Sequence, residues 1–223
     1  MKVEWQELRL AQSAAEGYGE TARPIDQLLQ SVVAARKDVL PTVVWIYDLE
    51  DDKVNRALET KIFQDLKVGL ALKRFTCLKG NIETIPDENL AAQLRKQAPV
   101  FYFFDPAAKS FAVLKGKKGA SRSRFYKTVE KLWSASFQVK LRDFAKKMTK
   151  ILDRIDKVEK KKTLLEAKIS RAEGKPGKLR GLKREKDKLK DEEDEILEDE
   201  QELLADCKVK DEFTSGKPEV ARK

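Results

Sequence analysis

Hydrophobic positions follow two different patterns along the chain, and the change comes near Ser134. Before that residue, short runs of β-branched and aromatic residues alternate with stretches in which apolar residues recur every three or four positions. The first pattern is typical of buried strands, and the second is typical of helices with one buried face. After Ser134 the apolar residues follow a heptad spacing. The sequence therefore predicts an α/β domain followed by a helical coiled coil.

The first part is predicted to contain its elements in the order helix, strand, helix, strand, helix, strand, strand, helix. The helices are expected at about 24–37, 54–70, 87–97 and 121–133, and the strands at about 43–47, 74–78, 100–104 and 111–114. The run Val43–Tyr47 is apolar on both faces, which is typical of a central strand covered by helices. The last two strands flank a short turn and should pair as an antiparallel hairpin. Asp52 and Asp87 are the expected N-caps of the helices that follow them.

This order of elements, with Pro99 directly before the third strand and a turn from Gly116 to Gly119 after the fourth, resembles the thioredoxin fold. The segment Ala98–Val100 is similar to the cis-proline segment of that family, and the lead-in from Trp5 to Trp45 is similar to a bacterial thioredoxin-like subgroup. The resemblance covers residues 1–134 and implies a central mixed sheet flanked by helices. In the family the cis-proline segment contacts extended peptides, so the resemblance makes Pro99 a candidate peptide contact.

The chain departs from the family where thioredoxins carry the CxxC motif, between the first core strand and the next helix. Asp48–Lys53 occupies that place and contains no cysteine. Cys77 and Cys207 are the two cysteines of the chain, and histidine is absent, which excludes dithiol exchange and histidine-based acid–base or zinc chemistry. We therefore predict a non-catalytic domain with no cofactor and no metal. The acids of 48–52 could bind a divalent cation, but helix capping and solvation explain them more simply.

One enzymatic alternative stays open at this point. Cys77 could act as the lone thiol of a single-cysteine oxidoreductase. The simpler interpretation is that Cys77 is a small apolar residue packed in a buried strand, because buried cysteines are usually inert.

The second part is predicted to be an antiparallel helical hairpin over residues 135–208, with its turn near 173–178. Nearly five heptads begin at Leu141, and Gly174–Gly177 then breaks the helix before a second apolar series begins at Leu179. Each arm should be roughly 45 to 50 Å long at 1.5 Å per residue. The second seam has charged residues at several expected core positions, which are Lys186, Glu193 and Glu200. Residues 209–223 are predicted to be a flexible charged tail.

Charge is sorted by sign along the predicted hairpin. Residues 160–190, around the turn, carry 13 basic and 4 acidic side chains, whereas residues 191–206 carry 10 acids and no base. The hairpin should therefore have a basic tip and an acidic base. We define the basic tip by seven candidate residues for binding a partner or an anion: Lys168, Arg171, Lys175, Lys178, Arg180, Lys183 and Arg184.

A second basic stretch lies in the first domain. Residues 109–131 carry eight bases and one acid. Cations beside exposed backbone amides at a helix start suit phosphate groups. The candidate anion-binding residues here are Lys115, Lys117, Lys118, Arg122 and Arg124.

The net charge of +9 and the sorted hairpin favour binding over catalysis. We predict a non-catalytic thioredoxin-like interaction or assembly protein, whose coiled-coil arm contacts a protein partner or a larger assembly. The alternative is an RNA- or ribosome-associated factor that binds RNA or another polyanion. A homo-oligomer formed through the coiled coil fits the same pattern.

The N-terminal segment Met1–Glu7 carries charges where a signal peptide would be apolar, and no apolar run is long enough to span a bilayer. We therefore expect a cytoplasmic protein. An exported form from which a signal peptide had been removed would show the same features.

Overall fold

The computed structural model describes residues 3–8, 25–36, 38–172 and 176–214. The chain divides into two compact units. Unit 1 comprises residues 1–141 together with 208–223, and unit 2 comprises residues 142–207. The expected boundaries were 134 and 208, so the last turn of the preceding helix and the linker to the hairpin belong with the α/β unit.

Unit 1 is built on a five-stranded mixed sheet with the order β1-β3-β2-β4-β5. Its strands are β1 (Gln6–Glu7), β2 (Thr42–Tyr47), β3 (Thr76–Asn81), β4 (Val100–Phe104) and β5 (Ser110–Lys115). Strands β1 and β2 both run parallel to β3. Strand β4 is antiparallel to both β2 and β5. The predicted central strand and C-terminal hairpin are thus confirmed, and β1 is an addition that apolar periodicity did not indicate.

Helices flank this sheet. They are α1 (Ile25–Ala34), α2 (Asp52–Leu58), α3 (Leu66–Leu72), α4 (Glu88–Gln97), the four-residue α5 (Gly116–Gly119) and α6 (Arg122–Ser136). A π-helical turn (Glu59–Phe63) follows α2, and a 3₁₀ turn (Ile82–Thr84) follows β3.

The two faces of the sheet have different cores. One face is largely aliphatic and joins residues such as Leu29, Val44 and Leu94 into one buried cluster. The other is aromatic: the ring of Phe125 on α6 lies 5.1 Å from Phe101 and 5.8 Å from Phe63, measured between ring centroids. Because both faces are covered, every residue of β4 is buried.

The helix predicted over 54–70 is interrupted. The side chain of Asp65 accepts hydrogen bonds from the backbone amides of Lys67 and Val68, at 3.1 and 3.2 Å, and so caps the new helix α3. The expected cap Asp52 is instead the first residue of α2, and Asp51 takes the cap position without a side-chain hydrogen bond. The prediction for Asp87 is confirmed, since its carboxylate accepts the amide of Leu90 at 3.0 Å.

Unit 2 contains most of two long helices, α7 (Leu141–Arg171) and α8 (Pro176–Asp206), which pack together. Three ion pairs join them in antiparallel register, and they are Arg154–Asp199, Lys161–Glu192 and Lys162–Glu193. The charged seam position Glu193 is therefore neutralised from the facing helix. Leu165, Leu189 and Ile196 are buried in the same seam. The predicted helical hairpin is confirmed, although residues 173–175 of its turn lie outside the described residues.

Residues 209–214 have regular structure, whereas a flexible tail was expected from 209. Val209 forms an isolated antiparallel bridge with Phe137, and the amide of Lys210 donates to the carbonyl of Ser136 at 2.9 Å. A short helix, α9 (Asp211–Thr214), follows. Backbone pairing, which composition does not reveal, holds this segment on unit 1. Residues 215–223 of the expected tail lie outside the described part of the chain.

Within the described ranges, none of the helices is both long enough and apolar enough to cross a membrane.

The aromatic face provides a direct test of this core. Phe125 is fully buried, whereas Phe111 on β5 is 40% exposed. We expect Phe125→Ala to lower the free energy of unfolding by about 3–5 kcal/mol, because it opens a cavity among aromatic rings. The matched variant Phe111→Ala should cost about 1 kcal/mol or less. Urea unfolding followed by tryptophan fluorescence measures both, and equal losses would contradict the assigned burial.

Candidate functional site

The basic tip is placed at the end of the hairpin by the last turn of α7 and the first turns of α8. Lys168 and Arg171 lie on α7, and the remaining described members lie on α8, namely Lys178, Arg180, Lys183 and Arg184. All six side chains are exposed. Lys175 lies outside the described residues. The structure places three of the predicted tip residues, Lys168, Arg171 and Lys178, around one opening.

A cleft of about 420 Å³ opens between the two helices at this tip. Its lining combines three cations with three small or apolar residues, and these are Lys168, Arg171, Lys178, Ala172, Gly181 and Leu182. No acidic residue of the described chain lines it. Ala172 is 6% exposed and Leu182 is half-buried, so the cleft has an apolar floor beneath a cationic rim. We name it the tip cleft.

The tip cations form no close ion pairs. Within residues 142–172 and 176–207, no ion pair involves any of the six described members of the basic tip. Cations outnumber acids in this segment, so a bound anionic group would be favoured. Lys168 and Arg171 also lie at the C-terminal end of α7, where a helix favours positive charge, whereas Lys178 lies at the N-terminal end of α8, where it does not.

The second basic stretch is arranged differently. Lys115 ends β5, Lys117 and Lys118 lie on α5, and Arg122 and Arg124 begin α6. Two of these cations are already engaged by acids: Arg122 pairs with Asp65, and Lys117 lies 3.8 Å from Asp51. The five cations remain exposed, but their net charge is reduced locally.

A groove of about 860 Å³ lies beside this stretch in unit 1. One wall is α2 with the π-helical turn, and the other is the segment 117–122. Lys53 and Lys61 also line it, and the sequence analysis did not select either residue. Their separation of eight positions, two helical turns, could have revealed that they share a face with Ala57.

Pro99 is placed before β4, and the Ala98–Pro99 peptide bond is cis, as the resemblance to thioredoxins implies. Its carbonyl accepts the amide of Gly116 at 2.9 Å, which ties the start of β4 to the residue after β5. Gly116 has φ +64°, a conformation that favours glycine. Pro99 itself is buried, so its ring is not presented as an open contact surface.

The acidic stretch that replaces CxxC is engaged in local contacts. The carboxylate of Asp48 accepts the amide of Glu50 at 3.1 Å, and the Asp48 carbonyl accepts the side-chain amide of Asn55 at 2.7 Å. Asp52 pairs with Arg56 one turn later on α2. These contacts agree with the turn and helix-start interpretation of the acids.

Both cysteines are buried. Cys77 lies in the middle of the sheet, on β3 between β1 and β2, and is 4% exposed. Burial raises the pKa of the Cys77 thiol to about 12. A nucleophilic thiolate requires the opposite, a lowered pKa and an accessible sulfur.

The thiol assignment can be tested by alkylation. At pH 8 we expect iodoacetamide to leave Cys77 unmodified in the folded protein and to modify it in urea, as measured by mass spectrometry of the peptides. Between the ordinary thiol pKa, near 8.5, and about 12, the folded state holds this proton more tightly than the unfolded state. Because of Cys77, the free energy of unfolding should therefore fall as the pH rises through that range. Equal labelling with and without urea would contradict the buried assignment.

The tip cleft yields a second test. A Cβ built on Gly181 meets nothing within 4 Å, so packing does not require glycine there. We expect Gly181→Ala to raise the free energy of unfolding by about 0.5–1 kcal/mol, because glycine weakens a helix interior. Gly177→Ala, which is equally unhindered but lies in the first turn, should give a smaller gain. Thermal unfolding followed by circular dichroism compares them, and a destabilised Gly181→Ala would contradict the open space beside Gly181.

No protein-family model matches the chain, and no curated protein matches it. The resemblance of residues 1–134 to thioredoxins accordingly remains a prediction.

Proposed function

We propose that the chain is a non-catalytic binding protein, in which a thioredoxin-like α/β unit carries a helical hairpin whose basic tip binds an acidic protein partner. The observation that carries this proposal is the tip cleft. It sets Lys168, Arg171 and Lys178 around an apolar floor, with no acid among its described lining residues.

The combination of charge and apolar surface favours a protein partner. A single exposed ion pair contributes only about 0–1 kcal/mol, so cations alone give weak and unselective binding. An apolar side chain that enters the cleft adds burial against Leu182 and Ala172, and that burial discriminates between acidic partners. An acidic segment that also carries a leucine or similar residue satisfies both parts of the site.

RNA is the second candidate, because the same cations suit phosphate and the stretch from Lys115 to Arg124 adds more of them. Residues 160–190 contain no aromatic residue, so the hairpin tip has no ring on which an unpaired base could stack. RNA would then be held through its phosphates alone. The apolar floor of the tip cleft contributes nothing to that contact, which is why the acidic protein is preferred.

The single-thiol oxidoreductase is the least favoured function. Cys77 is buried, and the pKa of its thiol is raised to about 12. Both features oppose the formation of a reactive thiolate near neutral pH.

The test is affinity capture with the full chain from the native cell, with and without nuclease. The bait variant Lys168→Glu/Arg171→Glu/Lys178→Glu reverses the rim of the tip cleft. We expect wild-type bait to retain a protein after nuclease treatment and the variant to lose it, because acidic groups are repelled by the reversed rim.

The control is Lys146→Glu/Lys150→Glu/Lys160→Glu, which makes the same change in charge at exposed positions of α7 away from the tip cleft. This control should retain the partner. If the control loses the partner as fully as the tip variant, total charge rather than the cleft determines binding. Complete loss after nuclease would favour the RNA function instead.

A further inference from the structure

The outer face of α8 carries a stripe of exposed charges that changes sign once. Its basic half consists of Arg180, Arg184 and Lys188, and its acidic half consists of Asp191, Glu195, Glu198 and Glu202. Successive members are three or four positions apart, which places all seven on one side of the helix. We name this set the charge stripe.

None of the seven residues forms an ion pair with any other residue of the described chain. The acids that α8 contributes to the three interhelical ion pairs are Glu192, Glu193 and Asp199, which lie nearer the seam. The hairpin is thus closed without using the charge stripe.

The order of charges in the stripe opposes the stability of α8 itself. Helices favour acids in the first turns and bases in the last turns, and α8 has the reverse arrangement. Like charges also recur four positions apart, as in Arg180 with Arg184 and Asp191 with Glu195, and such pairs are destabilising. Helix stability therefore does not explain the sorting.

The stripe is complementary to itself in the antiparallel direction. If two antiparallel copies of α8 lie side by side and cross at residue 191, residue n of one copy faces residue 382 − n of the other. Arg184 then faces Glu198, Arg180 faces Glu202, and Lys188 faces residue 194, which is aspartate and adjoins Glu195. A two-fold axis makes every such pair twice, and the assembly closes as a dimer.

We propose that a second copy of this chain docks antiparallel along the charge stripe, so that the basic half of one α8 lies against the acidic half of the other. This dimer proposal rests on the proposed function, because Arg180 and Arg184 belong to the basic tip. It identifies the acidic half of a second α8 as the partner of those two residues. The contact is mostly ionic, so the dimer is weak and sensitive to salt.

Asp191 meets a like charge in the proposed register. It lies on the two-fold axis and faces Asp191 of the other copy. Glu195 faces Asp187 and makes the other like-charge contact of this register. Asp191→Asn removes the repulsion on the axis, and we expect it to tighten the dimer. A conservative change of this kind leaves the seam of the hairpin untouched, since residue 191 is exposed.

The experiment is sedimentation velocity on the full chain over a concentration series, in low and in high salt. We expect a monomer–dimer equilibrium in low salt, with a dissociation constant that rises about tenfold or more in high salt. Arg180→Glu/Arg184→Glu/Lys188→Glu makes the stripe wholly acidic, and Glu195→Lys/Glu198→Lys/Glu202→Lys makes it basic at every position except Asp191. Each variant alone should be monomeric, and their equimolar mixture should form a heterodimer.

The matched control is Lys146→Glu/Lys157→Glu/Lys160→Glu, which makes the same change in charge at exposed positions of α7 and should dimerise like the wild type. Circular dichroism checks that every variant keeps its helices. Three outcomes would overturn the dimer: a wild-type monomer at every concentration in low salt, a mixture that stays monomeric, or an Asp191→Asn variant that associates no more tightly. A monomer that still captures a nuclease-resistant protein through Lys168, Arg171 and Lys178 would leave the proposed function standing.

Discussion

The burial of both faces of β2 and β4 is the constraint on which unit 1 depends. Val43–Ile46 on β2 and the whole of β4 are almost inaccessible to water, so the sheet must be covered on both sides. The aliphatic face is closed by α1 and α4, and the aromatic face is closed by Phe63 and by Phe125 on α6. Because α2, its π-helical turn and α6 must lie where they cover these rings, they also set the walls of the groove that Lys53 and Lys61 line. The position of this cationic surface is a consequence of how the core is covered.

Unit 2 is held together differently, by one seam between two helices. Its seam contains enough leucine, isoleucine and methionine to close the hairpin, and the polar seam positions Lys162 and Glu193 neutralise one another. The outer surfaces contribute little to that closure. The tip cleft and the charge stripe keep sorted, unpaired charges at some cost to the helices, which is expected of surfaces that act between molecules rather than within one.

Much of the fold could be predicted from the sequence because buried elements produce a clear pattern of apolar residues. The run Val43–Tyr47, the aromatic strand from Val100 to Phe104 and the heptads from Leu141 each indicate an element directly. The elements that were not predicted produce no such apolar pattern. The two-residue strand β1 is held by pairing with β3, and Val209 is held by a bridge to Phe137, so both depend on distant backbone groups.

The candidate site, too, could be predicted only in part. The basic tip could be predicted, because seven cations within a short segment appear in any count of charge. The tip cleft could not, because it depends on which residues of α7 and α8 line the same opening. The partial neutralisation of Lys117 and Arg122 by Asp51 and Asp65 was equally hidden, since it joins residues more than 50 positions apart.

In the function proposed above, a partner recognises the order of charges along the hairpin rather than their number. The most direct measurement is affinity capture with the full chain, comparing wild type with a variant in which the exposed charges of α8 are shuffled so that signs alternate every four positions. Composition, net charge and the apolar seam stay the same in that variant. We expect the shuffled chain to fold and to lose its nuclease-resistant partner. Undiminished capture would contradict recognition of the charge order.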